Sequence, residues 1–478
     1  MPSQNSITPK IINLLQRLPQ TPKMIRFSLS VLLIICFFPA FSQDNSPYSR
    51  YGMGDVVPST NVSSRSMGGI SAAYNDPFSI NFNNPASYGS FQTFREQNSK
   101  KMTYGRAILD VGMNIENRTL RAPSSTEKFT ASNVLFSHVQ LGLPIRPNWG
   151  LSFGLRPISR ISYKISKTEQ LFDPNTGLPI DSAGTLNQGD GGSYMASLGT
   201  GFKIDLNKAK SQSISFGING GYLFGRKDYS TRRTILNDTI QYTSGNAETK
   251  TSFGNINFNA GFQYQALLKQ KTMALTIGVY GNWKQNLNAT QDVIRETYVF
   301  DETAGNTRLD SVSDKTNIKG TIVYPSSYTA GIAFEKFPSL KTAGWLVGVD
   351  FAQHNWDEYR FYGQVDNTVK TNWELRIGGQ LTPVPKSNYF SNVRYRAGLF
   401  LGPDYIHIDR DLPVMGASFG LGLPLVPANR QINQVTFINL GFEYIKRGNN
   451  DNLLKENLFR MSIGLSLSDL WFAKKKYD

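Results

Sequence analysis

The feature that most constrains this chain is an alternation of apolar and polar residues that recurs in segment after segment beyond residue 100. Within 213–224, for example, Phe216 and Ile218 share one parity, whereas Ser215 and Asn219 share the other. Because successive side chains of a β-strand point to opposite faces, each such segment has one apolar and one polar face. A closed barrel of these strands turns the apolar faces to lipid and the polar faces to a lumen. The sequence therefore predicts an all-β fold, a 14-stranded antiparallel transmembrane β-barrel.

Short turns and long polar loops alternate between the predicted strands. In bacterial barrels the short turns lie in the periplasm and the long loops at the cell surface, so both barrel ends are predicted to be periplasmic. Several predicted strands exceed the 9–11 residues that cross a bilayer, and we expect them to project beyond it. The predicted strands are 102–116, 132–143, 149–165, 194–204, 213–234, 252–266, 272–300, 320–334, 344–361, 372–382, 392–401, 413–426, 434–445 and 457–467.

Residues 1–42 have the composition of a secretory signal peptide. Four basic residues and no acidic one accompany an apolar run at 27–38, and small residues follow at Ala40 and Ser42. The run is shorter than the ~20 residues that span a bilayer as a helix. We expect Sec-type export, a mature chain that begins near Gln43, and localisation in the outer membrane of a Gram-negative bacterium. Met24 is a plausible alternative start of translation.

The composition limits which cofactors, metal sites and charged partners can be expected. The only cysteine, Cys36, lies in the signal segment, and the sequence has three histidines, so we expect no disulfide, no metal site and no cofactor. The formal net charge is +15, and it falls to +11 without the four basic residues of the signal. These charges are spread over loops, lumen-facing positions and the C-terminus. That distribution favours outer-membrane lipid as the partner and predicts no nucleic-acid binding.

Residues 43–100 do not follow the strand pattern. Two segments, 65–69 (Arg-Ser-Met-Gly-Gly) and 81–87 (Asn-Phe-Asn-Asn-Pro-Ala-Ser), resemble the N-terminal hatch of FadL/TodX-type outer-membrane transporters. In that family an Asn-Pro-Ala motif belongs to a plug folded inside a fourteen-stranded barrel. The resemblance implies an N-terminal plug at 43–100, a transmembrane barrel at 101–470 and a periplasmic C-terminal tail at 471–478.

Several later segments also look like strands of that family. The proline-led segment 324–334, the Trp-containing 345–351 and the two Arg/Gly segments 374–379 and 394–398 occur in the family's order. The Trp-Phe and lysine-rich ending at 470–476 is more like FadL-related barrels common in the Bacteroidota. The residues of the predicted hatch and the spacing between its motifs differ from those of the classical transporters. The resemblance therefore does not identify the substrate.

The predicted plug contains the candidate ligand-binding residues. Phe78 and Phe82 are aromatic, and they precede the Asn84-Pro85-Ala86 motif. Since the resemblance places the plug in the lumen, these side chains could line an apolar ligand pocket. They could instead simply pack the plug against the barrel wall, and the sequence leaves both alternatives open.

Pro157 lies inside the third predicted strand, three residues after Gly154. A proline removes a ladder hydrogen bond and favours a bulge or kink. In FadL-type barrels a kink in the third strand opens a side window through which an apolar ligand leaves the lumen. The resemblance thus implies a lateral gate at Gly154 and Pro157. The alternative is that Pro157 lies above the membrane, beyond the part of the strand ladder that crosses the bilayer.

No enzymatic activity and no catalytic residue is predicted. Two matches to the serine-hydrolase pattern G-x-S-x-G, at 150–154 and 416–420, fall in alternating strands rather than at the strand-to-helix elbow that the motif requires. A pair of Ser152 and His138 across the first short turn is the one alternative, with the imidazole as base for the hydroxyl. It lacks a clear third residue.

Two functions follow from the resemblance. The first is passive uptake of hydrophobic, fatty-acid-like small molecules, with gating by the plug and lateral release into the bilayer. The alternative is a non-transporting barrel that serves as a subunit of an outer-membrane surface or secretion assembly, as FadL-like barrels do in type IX secretion. The partners would accordingly be a hydrophobic ligand or other envelope proteins, besides lipid.

Overall fold

The computed structural model describes residues 46–95, 102–123, 125–237, 240, 242–301, 305–386, 388–425 and 435–471. The predicted signal peptide and residues 472–478 of the predicted tail lie outside these ranges. Most described residues belong to one antiparallel sheet. Its principal strands are β1 (Met102–Arg121), β2 (Phe129–Arg146), β3 (Trp149–Phe172), β4 (Pro179–Asp205), β5 (Gln212–Leu236), β6 (Ser244–Leu268), β7 (Met273–Asn282 and Gln285–Asp301), β8 (Gly305–Tyr324 and Ser327–Lys336), β9 (Gly344–His354), β10 (Asn372–Thr382), β11 (Arg394–Ile408), β12 (Arg410–Leu425), β13 (Val435–Arg447) and β14 (Lys455–Trp471).

The sheet closes on itself between the last strand and the first. β14 pairs with β1 along seventeen positions, from Lys455 opposite Arg121 to Trp471 opposite Gly105. Every other strand pairs with its neighbours in sequence, and β7 and β8 each continue through a short interruption. Closure removes the sheet edges that lipid does not tolerate. The predicted 14-stranded antiparallel barrel is confirmed.

The two faces of the wall differ as the alternation predicts. On β5, Phe216 and Ile218 point outward and are each 45% exposed, whereas Ser215 and Asn219 point into the lumen and are buried. An apolar exterior around a polar interior is the arrangement of outer-membrane barrels. None of the helices in the described ranges is long and apolar enough to cross a membrane.

The wall is tallest from β3 to β6, where the strands have 24 to 27 residues. About 9–11 residues suffice to cross the bilayer, so these strands rise well beyond it. They rise on the side where the long connections lie, which we call the loop side. The opposite rim, with both chain ends of the barrel, is called the turn side.

Selective labelling checks the predicted orientation. Leu178 at the tip of the β3–β4 hairpin is exposed, and so is Lys208 in the β4–β5 turn at the opposite rim. A membrane-impermeant maleimide added to intact cells should label L178C, because the loop side is predicted to face the medium. K208C should react only after the outer membrane is permeabilised. The reverse pattern would contradict the orientation.

Candidate functional site

The candidate site is the barrel lumen together with residues 46–95, which we call the plug. The plug contacts inward-facing residues at both ends of the barrel. Asp55 lies 2.9 Å from Arg447 at the loop-side end of β13, and Asp76 lies 3.0 Å from Arg394 at the turn-side end of β11. The plug therefore runs through the whole height of the lumen. It has little regular structure beyond the helical turn α1 (Val62–Arg65) and a 3-10 turn at Pro85–Ser90.

The Asn84-Pro85-Ala86 motif forms the start of the 3-10 turn. The Asn84 side chain is fully buried, and its Oδ1 accepts the Ala86 N–H at 3.1 Å. Its Nδ2 donates to the carbonyl of Ala72 at 2.7 Å, which ties the turn to an earlier part of the plug. An Asn that caps a turn and a Pro at the first position are favourable in this geometry. All three motif residues thus shape the plug, and none borders the main lumen cavity.

This turn lies flat on the wall because four glycines form a row beneath it. Gly150, Gly201, Gly217 and Gly261 are mutual cross-strand partners on the consecutive strands β3 to β6. A Cβ at any of the four would overlap the plug, with Tyr88, Pro85 and Asn84 as the colliding residues. The absence of side chains in the row lets the two backbones meet directly. We call these four residues the first glycine row.

A second glycine row lies across the lumen. Gly348, Gly378 and Gly398 are cross-strand partners on β9, β10 and β11. The plug chain turns sharply above them at Gly68 and Gly69, whose φ angles of 67° and 85° favour glycine. The Gly68 N–H donates to the Ser418 hydroxyl of β12 at 2.9 Å. The plug is therefore held against opposite sides of the barrel without clearance at either row.

A buried charge cluster joins the plug to the loop-side half of β1, β13 and β14. The Asp55 carboxylate lies 2.7 Å from Arg118 and 2.9 Å from Arg447. Both arginines also contact Glu456, and Arg460 contacts Glu116 at 2.7 Å and Glu443 at 3.2 Å. The members of the cluster are Asp55, Glu116, Arg118, Asp404, Glu443, Arg447, Glu456 and Arg460. No group in the described ranges is arranged to hold a metal ion.

Burial alone would raise the pKa of the Asp55 carboxyl, but the positive charges of Arg118 and Arg447 outweigh it and hold the pKa at about 2. Asp55 is therefore ionised at neutral pH. Breaking a buried ion pair leaves an uncompensated charge, which is strongly unfavourable. The charge cluster thus fixes the loop-side part of the plug.

Phe78 and Phe82 pack against the wall of the barrel. The Phe78 ring lies 5.3 Å from that of Phe437 and 5.1 Å from the Arg394 guanidinium. Phe82 is buried, 5.2 Å from the Arg156 guanidinium, and borders a cavity of only about 50 Å³. Neither ring lines the main lumen cavity.

The main lumen cavity has a volume of about 350 Å³ and lies between the plug and the loop-side half of the wall. Its lining combines charged residues, several of them members of the charge cluster, with apolar ones such as Ile158, Phe400 and Leu458. The ionisable residues that line it are Asp55, Arg65, Arg118, Arg156, His354, Glu374, Arg376, Asp404, Glu443, Arg447, Glu456 and Arg460, together with Tyr280, Tyr324 and Tyr405. An apolar molecule in this cavity would therefore lie against charged groups and remove water from them.

The structure does not bring Ser152 and His138 together. Ser152 lies opposite Gly142, whereas the His138 ring contacts the hydroxyl of Ser137 at 3.1 Å and the carboxylate of Asp110 at 3.4 Å. A bulge opposite β1 turns both Ser137 and His138 inward, which the regular alternation did not predict. His138 is completely buried, so these groups form a structural contact inside the wall.

Pro157 coincides with an irregularity of β3. Ile158 is bulged between Pro157, which pairs with Tyr194, and the next paired residue of the strand. The ladder between β2 and β3 ends just below, at Val139 opposite Leu155. Gly154, directly beneath, has the Gln140 side chain packed against its backbone. The predicted gate residues thus lie where the third strand parts from the second.

The charge cluster and the two glycine rows were missed by sequence reasoning. A signal for the cluster exists, since Glu116 and Arg118 share the lumen parity of the first strand and Glu456 and Arg460 that of the last. The first and last strands of a closed barrel are neighbours, so opposite charges there can pair. The glycine rows depend on the register between strands, which a single sequence does not specify.

A closed fourteen-stranded barrel with an apolar exterior and a lumen filled by its own N-terminal segment has the architecture of an outer-membrane β-barrel with an internal plug. Residues 24–478 match the family model described as BamG. The chain belongs to the BamG family.

Solved structures with a similar fold include the CymD monoaromatic hydrocarbon channel, with 13% identity, a TM-score of 0.47, and coverage of 87% of this chain and 98% of that chain. The Pseudomonas putida toluene transporter TodX has 12% identity, a TM-score of 0.45, and coverage of 88% and 99%. A Pseudomonas aeruginosa FadL homologue has 13% identity, a TM-score of 0.45, and coverage of 88% and 100%. No curated protein matches the sequence. These are likenesses of fold alone.

A single methyl group in the first glycine row should loosen the plug. G217A places a Cβ against Pro85, and we expect a loss of about 1–3 kcal/mol in stability from overpacking. Thermal unfolding of the barrel in detergent measures this loss. G220A on the same strand is the matched control, because a Cβ there meets only the Phe258 ring at 3.4 Å or more. Equal effects of the two substitutions would contradict the proposed role of the row.

Neutralising Asp55 should release the loop-side part of the plug. D55N leaves Arg118 and Arg447 with one carboxylate fewer, and disruption of such a buried pair costs about 3–5 kcal/mol. Hydrogen exchange should accelerate selectively in residues 46–66. Because the folded pKa of about 2 lies below the usual 3.8, the contribution of Asp55 persists above pH 4 and disappears as the pH falls through that interval.

E169Q is the control for D55N, since Glu169 pairs with Lys167 and Arg233 on the exposed wall. Exposed pairs contribute about 0–1 kcal/mol, so plug exchange should not change. Unchanged exchange in D55N as well would show that Asp55 does not hold the plug.

Proposed function

We propose that this FadL-like barrel is a non-conducting subunit of an outer-membrane assembly, whose exterior rather than its lumen is the working surface. The observation that carries the proposal is the seating of the plug. Plug backbone lies directly on the first glycine row at one side of the lumen and on Gly378 and Gly398 at the other. A plug held at both sides cannot move away from either wall without losing these contacts.

The charge cluster adds to the cost of such a rearrangement. Displacement of the loop-side part of the plug would separate Asp55 from Arg118 and Arg447, whose side chains are 4% and 9% exposed. At the turn side it would also separate Asp76 from Arg394. Each separation would leave charged groups without their partners inside the barrel, which is unfavourable. A passive channel has no energy source to supply this cost at every passage.

The charged residues in the lining of the main cavity are a further argument against apolar cargo. An apolar molecule there would strip water from the guanidinium and carboxylate groups of the charge cluster, with no hydrogen bonds in return. Binding pockets for apolar ligands are lined mainly by hydrophobic and aromatic side chains. The two candidate aromatic residues, Phe78 and Phe82, lie outside this cavity.

The second candidate is a channel for hydrophobic, fatty-acid-like molecules with lateral release, as the FadL/TodX-type resemblance implies. The bulge after Pro157 and the end of the β2–β3 ladder favour it, because together they offer a side opening. In this candidate Gly154 and Pro157 form the gate, and the plug residues Phe78, Phe82, Asn84, Pro85 and Ala86 rearrange to admit cargo. Its difficulty is the charged lining above that opening.

Native mass spectrometry of the tagged protein, gently extracted from its own outer membrane, separates the two candidates. The assembly proposal predicts a stoichiometric complex with other envelope proteins and a barrel without an apolar adduct. The seated plug and the charged cavity are the physical reasons. A barrel whose measured mass includes a bound fatty acid, and which carries no other protein, would overturn the proposal and support the channel.

An unrelated outer-membrane barrel with the same tag, extracted in the same detergent, serves as the control. Lipids and proteins that accompany both barrels reflect the extraction and are subtracted.

A further inference from the structure

The wall of the barrel has an open seam between β2 and β3. The two strands pair at seven positions, from Arg146 opposite Trp149 to Val139 opposite Leu155. Above these positions β2 continues to Phe129 and β3 to Phe172, yet no ladder pairs them. By contrast, β2 pairs with β1 at thirteen positions and β3 with β4 at twenty-two. The edge of β2 at residues 133–138 that faces β3 is called the seam edge.

One other junction, between β10 and β11, also has seven paired positions, but there the pairing resumes. The Lys370 N–H donates to the Tyr405 carbonyl and the His407 N–H to the Thr368 carbonyl, both at 2.8 Å. A loop segment thus completes that part of the wall. Along the seam edge the described chain offers no such continuation.

The seam opens within the membrane layer. A strand crosses a bilayer with about 9–11 residues, and the β2–β3 ladder has only seven positions. Just above its end, Phe136 and Val134 on β2 still point outward and are 41% and 53% exposed, as lipid-facing residues are. Backbone groups in hydrocarbon need hydrogen-bond partners, and open sheet edges do not occur in contact with lipid. The seam edge therefore requires a partner that offers backbone-like donors and acceptors.

The plug shows that the seam accepts an added strand. Asp55 pairs with Arg160 of β3 and Val56 with Ser159, and the Val57 N–H donates to the Ile158 carbonyl at 3.0 Å. The far edge of β3 is occupied at the same positions by β4. The plug segment must therefore use the edge that faces β2. It covers three residues of β3, with Val56 48% exposed, and no ladder joins it to β2.

We propose that the seam edge binds an extended segment of another polypeptide by strand addition. The inference rests on the proposed function and names the docking site of the partner. The segment would pair with β2 at 133–138 and present apolar side chains to lipid at alternate positions. Immediately below, an outward-facing apolar groove continues the seam, with Val139, Leu141, Phe153, Leu155, Leu198 and Tyr222 among its lining residues. It offers a place for an apolar anchor of the same segment.

Photocrosslinking in the intact outer membrane tests the docking site. The photoreactive residue p-benzoylphenylalanine replaces Phe136 at the seam or Met415 on β12. Both positions lie ten residues above the turn-side end of their strand and point outward, but β12 is fully paired at Met415. We expect one discrete protein adduct at 136 and at least tenfold less at 415. Position 134 repeats the test if the variant at 136 fails to assemble.

Hydrogen exchange of the seam edge separates strand addition from mere proximity. Amides of residues 133–138 should exchange at least tenfold more slowly in the complex than in the isolated barrel. A protein adduct without this protection would overturn strand addition, as would a complex that persists while position 136 crosslinks only to lipid. In both cases the assembly function itself would stand. The absence of any complex would instead overturn the proposed function and this inference with it.

Discussion

The structure depends throughout on one constraint, namely that backbone N–H and C=O groups in a membrane must find partners within the protein. That constraint closes the fourteen strands into a ring between β14 and β1, where seventeen positions pair. It also makes the β2–β3 junction exceptional, since both strands continue past the last paired position and no described segment completes the wall along β2. A barrel that satisfies this rule at thirteen junctions and leaves one partly open has a preferred place for contact with something else.

Inside the barrel, the contact between plug and wall is limited by the space for side chains and by the need to pair charges. Two backbones approach closely only where side chains are absent, so the plug touches the wall at glycines such as Gly217 and Gly378. Elsewhere the lumen is lined by charged groups that must be paired once water is removed, and Asp55 of the plug takes part in that pairing. Much of the lumen is therefore taken up by the plug and by the residues that hold it. The same charged residues also line the cavity that remains.

Much of the fold could be predicted because alternation along a strand reports which face meets lipid. The outward parity of Phe216 and Ile218 is as predicted. Strand lengths were underestimated where the strands leave the membrane, since the apolar signal ends there. The fourth strand, for example, was predicted from 194 but begins at Pro179. The ninth strand was instead overestimated, since it was predicted to 361 but ends at His354, before a 3-10 turn at Trp356–Glu358. The seating of the plug could not be predicted, because it depends on register and on contacts between residues hundreds of positions apart.

The filled lumen and the open seam point to the same functional surface. A laterally gated channel needs an apolar route that reaches the side opening, but the cavity next to Ile158 is lined by charged groups such as Arg118 and Glu456. The plug segment at Asp55–Val56 already lies in that opening, tied by Asp55 to the charge cluster. Strain or motion at the seam would therefore be opposed from inside by the plug, while the edge of β2 stays accessible from the lipid side. A closed interior beside an unsatisfied outer edge is the arrangement expected of a barrel that binds a neighbour in the membrane.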